Sequence, residues 1–222
     1  SDVMTINGTV TKTFLSLCLV VISGYYSWIN ISITNVLILP AIFVAFILGG
    51  VTIYKKHLSP ITVPIYAVIQ GIFLGAISYT FNSLYDGIVI TAISYTLSIL
   101  FVMLTLYRTG IIKPTENFKL GVAAGTGGIA LIYLANFVMS FFGTGLSIMD
   151  INNASMYSIG FSLLVIVMAS LNLVVDFDFI EEGSEKRAPK YMEWYGAFGL
   201  LVTLIWLYLE ILRLLAKMNS RK

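Results

Sequence analysis

Charge is what this chain has least of. Only 11% of its 222 residues are Asp, Glu, Lys or Arg, against about 25% in soluble domains. Hydrophobic residues make up 58% of it, and its mean hydropathy is +0.92. That balance excludes a soluble globular protein, and no stretch is long and polar enough for a separate soluble domain. The net charge of +2 implies no nucleic-acid partner. Histidine occurs once, at His57 in a loop beside Lys55 and Lys56. This excludes zinc peptidase motifs, which need two, and a serine–histidine dyad within the membrane. The one cysteine, Cys18, sits in an apolar run, so no internal disulfide forms and no redox compartment can be read. A retinal Schiff base needs a lysine within the last helix, and the nearest, Lys217, falls at its end. Gly125–Ala130, GTGGIA, lacks the Lys-Ser/Thr ending of a phosphate loop and reads as helix packing.

What the chain has instead is seven apolar runs, at about 9–28, 36–54, 61–80, 88–107, 120–142, 155–179 and 194–215. Each is close to the ~20 residues that carry a helix across a bilayer. The runs are continuous rather than alternating, which argues against a membrane barrel. The expected fold is an all-α membrane protein, a single seven-helix domain over residues 1–222. The chain starts SDVMTINGTV without an initiator Met, as a trimmed end would. The first run lacks a small-residue cleavage site and reads as a retained span. Gly71 with Gly75, and Gly121 with Gly125, have the spacing that lets helix backbones approach. Pro40 and Pro64 lie near span starts, where they shape turns or kinks.

Basic residues set the expected orientation. Seven spans put Lys12, Lys55, Lys56, Arg108, Lys113, Lys119, Lys186, Arg187 and Lys190 on one side, and only Arg213, Lys217, Arg221 and Lys222 on the other. The richer side is expected to be cytoplasmic, with the N-terminus. The basic tail KMNSRK dissents, and would be cytoplasmic if the last run turned back inside the membrane.

Acids at the edge of a hydrocarbon layer are costly, which makes them functional candidates. Asp176 falls about one turn inside the sixth run. There it must take a proton or find a cation, and Lys55, Lys56 or Lys12 is the expected neighbour. Asp178 and Glu182 share a helix face if the helix continues. With Asp176 they offer the hard oxygen ligands that calcium prefers, while a hydrated acidic loop balanced by Lys186, Arg187 and Lys190 is the plainer alternative. Glu210 and Arg213, three apart near the far end of the last run, can pair with each other. Gln70, Asn136 and Asn172 are mid-span amides that bond across helices or line a hydrated cavity.

The run VVDFDFIEEG, followed by APKYMEWYGAFGLLVTLIWLYLEILRLL, closely resembles the Bax inhibitor family in its bacterial YccA-like branch. MTINGTVTKTF near the start and PIYAVIQGIFLGAIS in the third run support the likeness, which covers essentially the whole chain. The resemblance implies seven helices with the last one central. It also implies pH-dependent calcium leak, suppression of cell death in eukaryotes, or modulation of a membrane protease in some bacteria. In calcium-leak members an aspartate near the end of the sixth helix pairs with one in the last helix, and a basic residue after the second helix helps close the path. Asp176 and Lys55 match the first and third of these. Thr203, which cannot ionise, stands where the second aspartate falls. Gln70 replaces an acid common in close relatives, and Arg213 matches a basic residue of the last helix.

The expected function is a pH-sensitive leak channel, calcium-permeable and without enzymatic turnover, in a bacterial cytoplasmic membrane. Its ion-path residues would be Asp176, Asp178, Glu210, Arg213, Lys55, Thr203 and Gln70. It needs no cofactor, with calcium only as the permeant ion. The rival reading is a non-conducting regulator that binds a membrane protease or another integral protein. A small-solute transporter is a third, disfavoured because no inverted repeat is visible.

Overall fold

The structure, a computed structural model, describes residues 2–222. Among these, seven helices are long and apolar enough to cross a membrane: α1 Ile6–Ile29, α2 Ile31–Tyr54, α3 Lys56–Leu84, α4 Ile88–Arg108, α5 Glu116–Ser140, α6 Met156–Glu185 and α7 Met192–Ser220. The described residues form no strand, only an isolated antiparallel bridge between Val3 and Pro189.

Several ends run past the apolar runs. Hydropathy marks hydrocarbon depth, whereas the backbone ladder continues wherever polar side chains can be solvated. α1 starts early because Thr5 caps it, its hydroxyl oxygen accepting from the Gly8 N–H at 3.0 Å. α6 continues to Glu185, so Asp176, Asp178 and Glu182 lie on helix and not in a loop. α7 is unbroken to Ser220 and does not turn back. Pro40 follows a 3₁₀ turn at Asn35–Leu37 inside α2, and Pro64 lies within α3.

The chain divides into two compact units. The first holds Ser1–Leu84 and Asp176–Val202. Its α3 packs most extensively on α1 and next on α2. Gly71 and Gly75 make this possible. A Cβ on Gly71 would overlap Ser23 and reach the Val20 carbonyl, and one on Gly75 would overlap the Gly24 carbonyl. Ser27 completes the seam by donating to the Ile72 carbonyl at 2.7 Å.

The second unit holds Tyr85–Val175 and Thr203–Lys222. Here the second glycine pair behaves differently from expectation. Gly125 faces Met168 of α6, but Gly121, Gly127 and Gly128 have open space where a Cβ would stand. The GTGGIA run packs through Gly125, Thr126 and the buried Ile129, while Gly127, Gly128 and Ala130 face outward. Asn172 does bond across helices, to the Thr126 hydroxyl at 2.8 Å, and the Asn136 side-chain oxygen accepts from the Leu146 N–H at 2.9 Å.

Burial differs between the spans, and α3, α6 and α7 are the most buried. Half of the most apolar window of α7 is buried, against 11% in α5. From Ala197 to Ile205 only Val202 is exposed.

Candidate functional site along the last helix

In the first unit, the start of α7 holds a saturated carboxylate. Glu193 is fully buried. Its Oε1 accepts from the Thr5 N–H and hydroxyl, each at 2.9 Å, and from the Lys190 ammonium at 2.8 Å, while Oε2 takes the Lys12 ammonium. Gly8 leaves the room for this, since a Cβ there would overlap the carboxylate. The preceding residues strap down beside it. The Met4 N–H donates to the Ala188 carbonyl at 2.7 Å and the Lys190 N–H to the Asp2 carbonyl at 3.1 Å. The Met4 side chain, 1% exposed, fills space that Gly183 and Gly196 leave open.

Asp176 is half-buried in the same unit and lies against α7 at Gly199, where a Cβ would stand 3.3 Å from its Oδ1. Thr203 is buried one turn beyond Gly199 on the same face of that helix. Asp178, two residues on, points to a different side of α6, because each residue turns the helix by roughly 100°. Of the lysines expected near Asp176, Lys12 gives its ammonium to Glu193 and lies 5.9 Å from the Trp194 ring centre. Lys56 stands 5.1 Å over the Tyr195 ring. The Lys55 side chain is exposed, and its N–H closes α2 by donating to the Val51 carbonyl at 2.8 Å.

The acids of α6 do not converge on a metal. Among the described residues no three His, Cys, Asp or Glu side chains could hold an ion together. Asp178 and Glu182 share a face of the continuous helix, as expected, but Asp176 lies on another side, and Glu182 pairs with Lys186. Gln70 also differs from expectation. It donates along its own helix to the Tyr66 hydroxyl at 2.9 Å, and the Tyr66 ring meets Phe198 edge-on at 5.1 Å.

In the second unit, Glu210 is 2% exposed. Its Oε1 accepts from Arg213 Nη1 at 2.8 Å and from the Tyr133 hydroxyl of α5. The Tyr133 oxygen in turn accepts from Trp206 Nε1 at 3.1 Å, and the Arg213 guanidinium lies 5.8 Å from the Tyr133 ring centre. Glu210 Oε2 is buried without a hydrogen-bond partner. The pairing with Arg213 is the one that i,i+3 spacing implied; Tyr133 has no such signal, because its partner lies 77 residues away. Lys217 is a larger surprise. It is fully buried, and its ammonium donates to the Ile148 carbonyl at 2.8 Å, the Ser158 carbonyl at 3.1 Å and the Ser162 hydroxyl at 2.8 Å. The spacing 210, 213, 217 on one helix face could have marked it; its distance from the apolar centre hid it.

Glu193 and Lys217 are therefore functional-site candidates absent from the sequence expectations. Groups of this kind hold protons and cations and fix helix positions. Seven apolar helices, the last bearing buried ionisable groups, define an integral membrane protein that lives in a lipid bilayer. The particular kind follows from a family model described as Bax inhibitor 1 like, which matches residues 1–220. The chain belongs to the Bax inhibitor 1-like family, which is not known as enzymatic. No curated protein matches it.

Proposed function

We propose that the protein is a pH-sensitive leak channel of the YccA-like branch, with calcium as its permeant ion and no enzymatic turnover. It would sit in a bacterial cytoplasmic membrane with its N-terminus and the lysine-rich loops inside. The observation that carries this reading is the half-buried Asp176 carboxylate set against α7 at Gly199. A carboxylate in a partly dry helix seam interacts differently with its surroundings when charged and when neutral. Protonation therefore biases two arrangements of α6 and α7. In the proposed mechanism, protons compete with cations for Asp176 and shift a closed state toward an open one. Asp178 is the second acid of α6 on the proposed path. Glu210 with Arg213 lines the far part of the path, and Lys55 helps close its cytoplasmic end. Thr203 and Gln70 are neutral where close family members carry acids, so a single aspartate, not a shared pair, would do the sensing.

Calcium flux into liposomes holding the purified protein, measured across pH, tests this. Wild type should leak more as pH falls, and Asp176→Asn should flatten the pH dependence while Glu185→Gln leaves it unchanged. A pH-dependent flux that survives in Asp176→Asn moves the sensor to Asp178 or Glu210. Absence of flux at every pH, with inserted protein, favours the second reading, a regulator of a membrane protease or other integral protein. The outward glycines of α5, Gly121, Gly127 and Gly128, are the observation behind that alternative, since small residues let a partner helix approach closely.

A further inference from the structure

A groove of about 450 Å³ runs between α4 and α6 in the second unit. Tyr95, Ile99 and Val102 wall it on α4, and Ile166, Val167 and Leu171 on α6. Met103 and Ser170 are its buried floor, whereas Tyr95, Val102 and Val167 are each more than half exposed, which leaves one side open. Both helices are long and apolar enough to be membrane spans, so an occupant entering from the open side would come from the bilayer. The two serine hydroxyls that line it, one on a wall and one on the floor, are already used within their own helices. Ser98 donates to the Ser94 carbonyl at 2.8 Å and Ser170 to the Ile166 carbonyl at 2.7 Å. The walls thus favour an apolar chain over a polar group, which would lose its hydrogen bonds there. A transmembrane helix, about 10 Å across, is too wide for this volume.

The groove also has a direction. It runs from Tyr95 to Ile112, which folds back so that its N–H donates to the Leu106 carbonyl at 3.1 Å. Tyr95 to Leu106 is roughly 16 Å of helix, close to half of the ~30 Å hydrocarbon layer and so the depth of one leaflet. At the Ile112 end stand Arg108 and Lys113, both exposed. Neither side chain makes an ion pair or hydrogen bond with another described residue. Two unpartnered cations at the headgroup end of a chain-sized apolar groove match a molecule with an acyl tail and a negative head.

We propose that the α4–α6 groove binds one acyl chain of an anionic phospholipid, with the phosphate held by Arg108 and Lys113. The site is independent of ion conduction and would keep a lipid in place longer than the surrounding bilayer does.

The test uses full-length protein in nanodiscs containing phosphatidylglycerol or phosphatidylcholine with a diazirine on one acyl chain. After irradiation, adducts are mapped on peptides. Phosphatidylglycerol adducts should concentrate on residues 95–103 and 166–171, above those on Phe43 and Phe46, which are exposed on α2 to the same lipid. Arg108→Gln and Lys113→Gln should each cut the preference for phosphatidylglycerol over phosphatidylcholine by about fivefold at most. Ser170→Phe fills the floor and should remove groove adducts while sparing those at Phe43 and Phe46. Ser98→Leu does the same from the other wall, should Ser170→Phe not fold. Equal labelling of the groove and the α2 face in wild type overturns the proposal. So does groove labelling with no preference for the anionic lipid.

Discussion

Glu193 and Glu210 are buried acids of the same helix in opposite circumstances. Glu193 is saturated: Thr5 donates twice, and Lys12 and Lys190 bring two cations to one carboxylate. Glu210 uses one oxygen for Tyr133 and Arg213 and leaves the other buried without a partner. The first arrangement fixes the negative charge and ties the start of α1 to the start of α7. The second leaves one oxygen of the carboxylate buried and unbonded beside the Tyr133–Arg213 cluster. Two acids of one helix thus differ in how completely their neighbours satisfy them.

The largest expected effect comes from breaking the saturated end. Glu193→Gln puts a buried amide N–H₂ against a lysine ammonium and takes the counter-charge from the partly exposed Lys12 and Lys190. Thermal unfolding in detergent should show a loss of about 3 kcal/mol. A shift no larger than that of Glu210→Gln would erase the contrast between the two acids.

Next comes the α1–α3 seam, in the same unit as Glu193. Gly71→Val drives side-chain atoms into Ser23 and the Val20 carbonyl. It should cost about 2 kcal/mol through overpacking, read from the same unfolding curves.

At the open end the effects are smaller. Tyr133→Phe removes a hydrogen bond to Glu210 and strips Trp206 Nε1 of its acceptor, for about 1.5 kcal/mol. Glu210→Gln should cost about 1.5 kcal/mol, because Arg213 loses its counter-charge and the amide N–H₂ takes a buried place that has no partner, while Oε1 keeps its bond to Tyr133. If Glu210→Gln instead matches Glu193→Gln, the orphan oxygen is structurally engaged and the comparison must be redrawn.

The smallest change is Gly128→Ala on the outward face of α5, where a Cβ meets nothing within 4 Å. Stability should move by no more than about 0.5 kcal/mol, upward, from helix propensity. A clear loss would show that this face is packed against something.

The number and approximate positions of the spans were legible because hydropathy is local: about 20 consecutive residues carry the whole signal. The same holds for the Glu210–Arg213 pair, which helical spacing brings together without help from the rest of the chain. Gln70 shows the limit of such reasoning. A mid-span amide must bond to something, but whether it crosses to another helix or turns back to Tyr66 depends on what its neighbours offer. The two glycine pairs show it again. Their spacing is identical, yet both glycines of one lie in a packed seam, whereas in the other only Gly125 is packed and Gly121 faces open space.

By itself, then, the sequence determined that this is a seven-helix membrane protein, and its motifs placed it among Bax inhibitor-like proteins. The tertiary structure decided which polar groups matter. Lys12 reaches Glu193 across 181 residues, and Lys217 finds its acceptors 55 to 69 residues away. Asp176 meets the last helix at a glycine. None of these follows from spacing along a helix. They arise because a carboxylate or ammonium removed from water takes whatever partner the packed helices bring near, and packing is a property of the assembled chain.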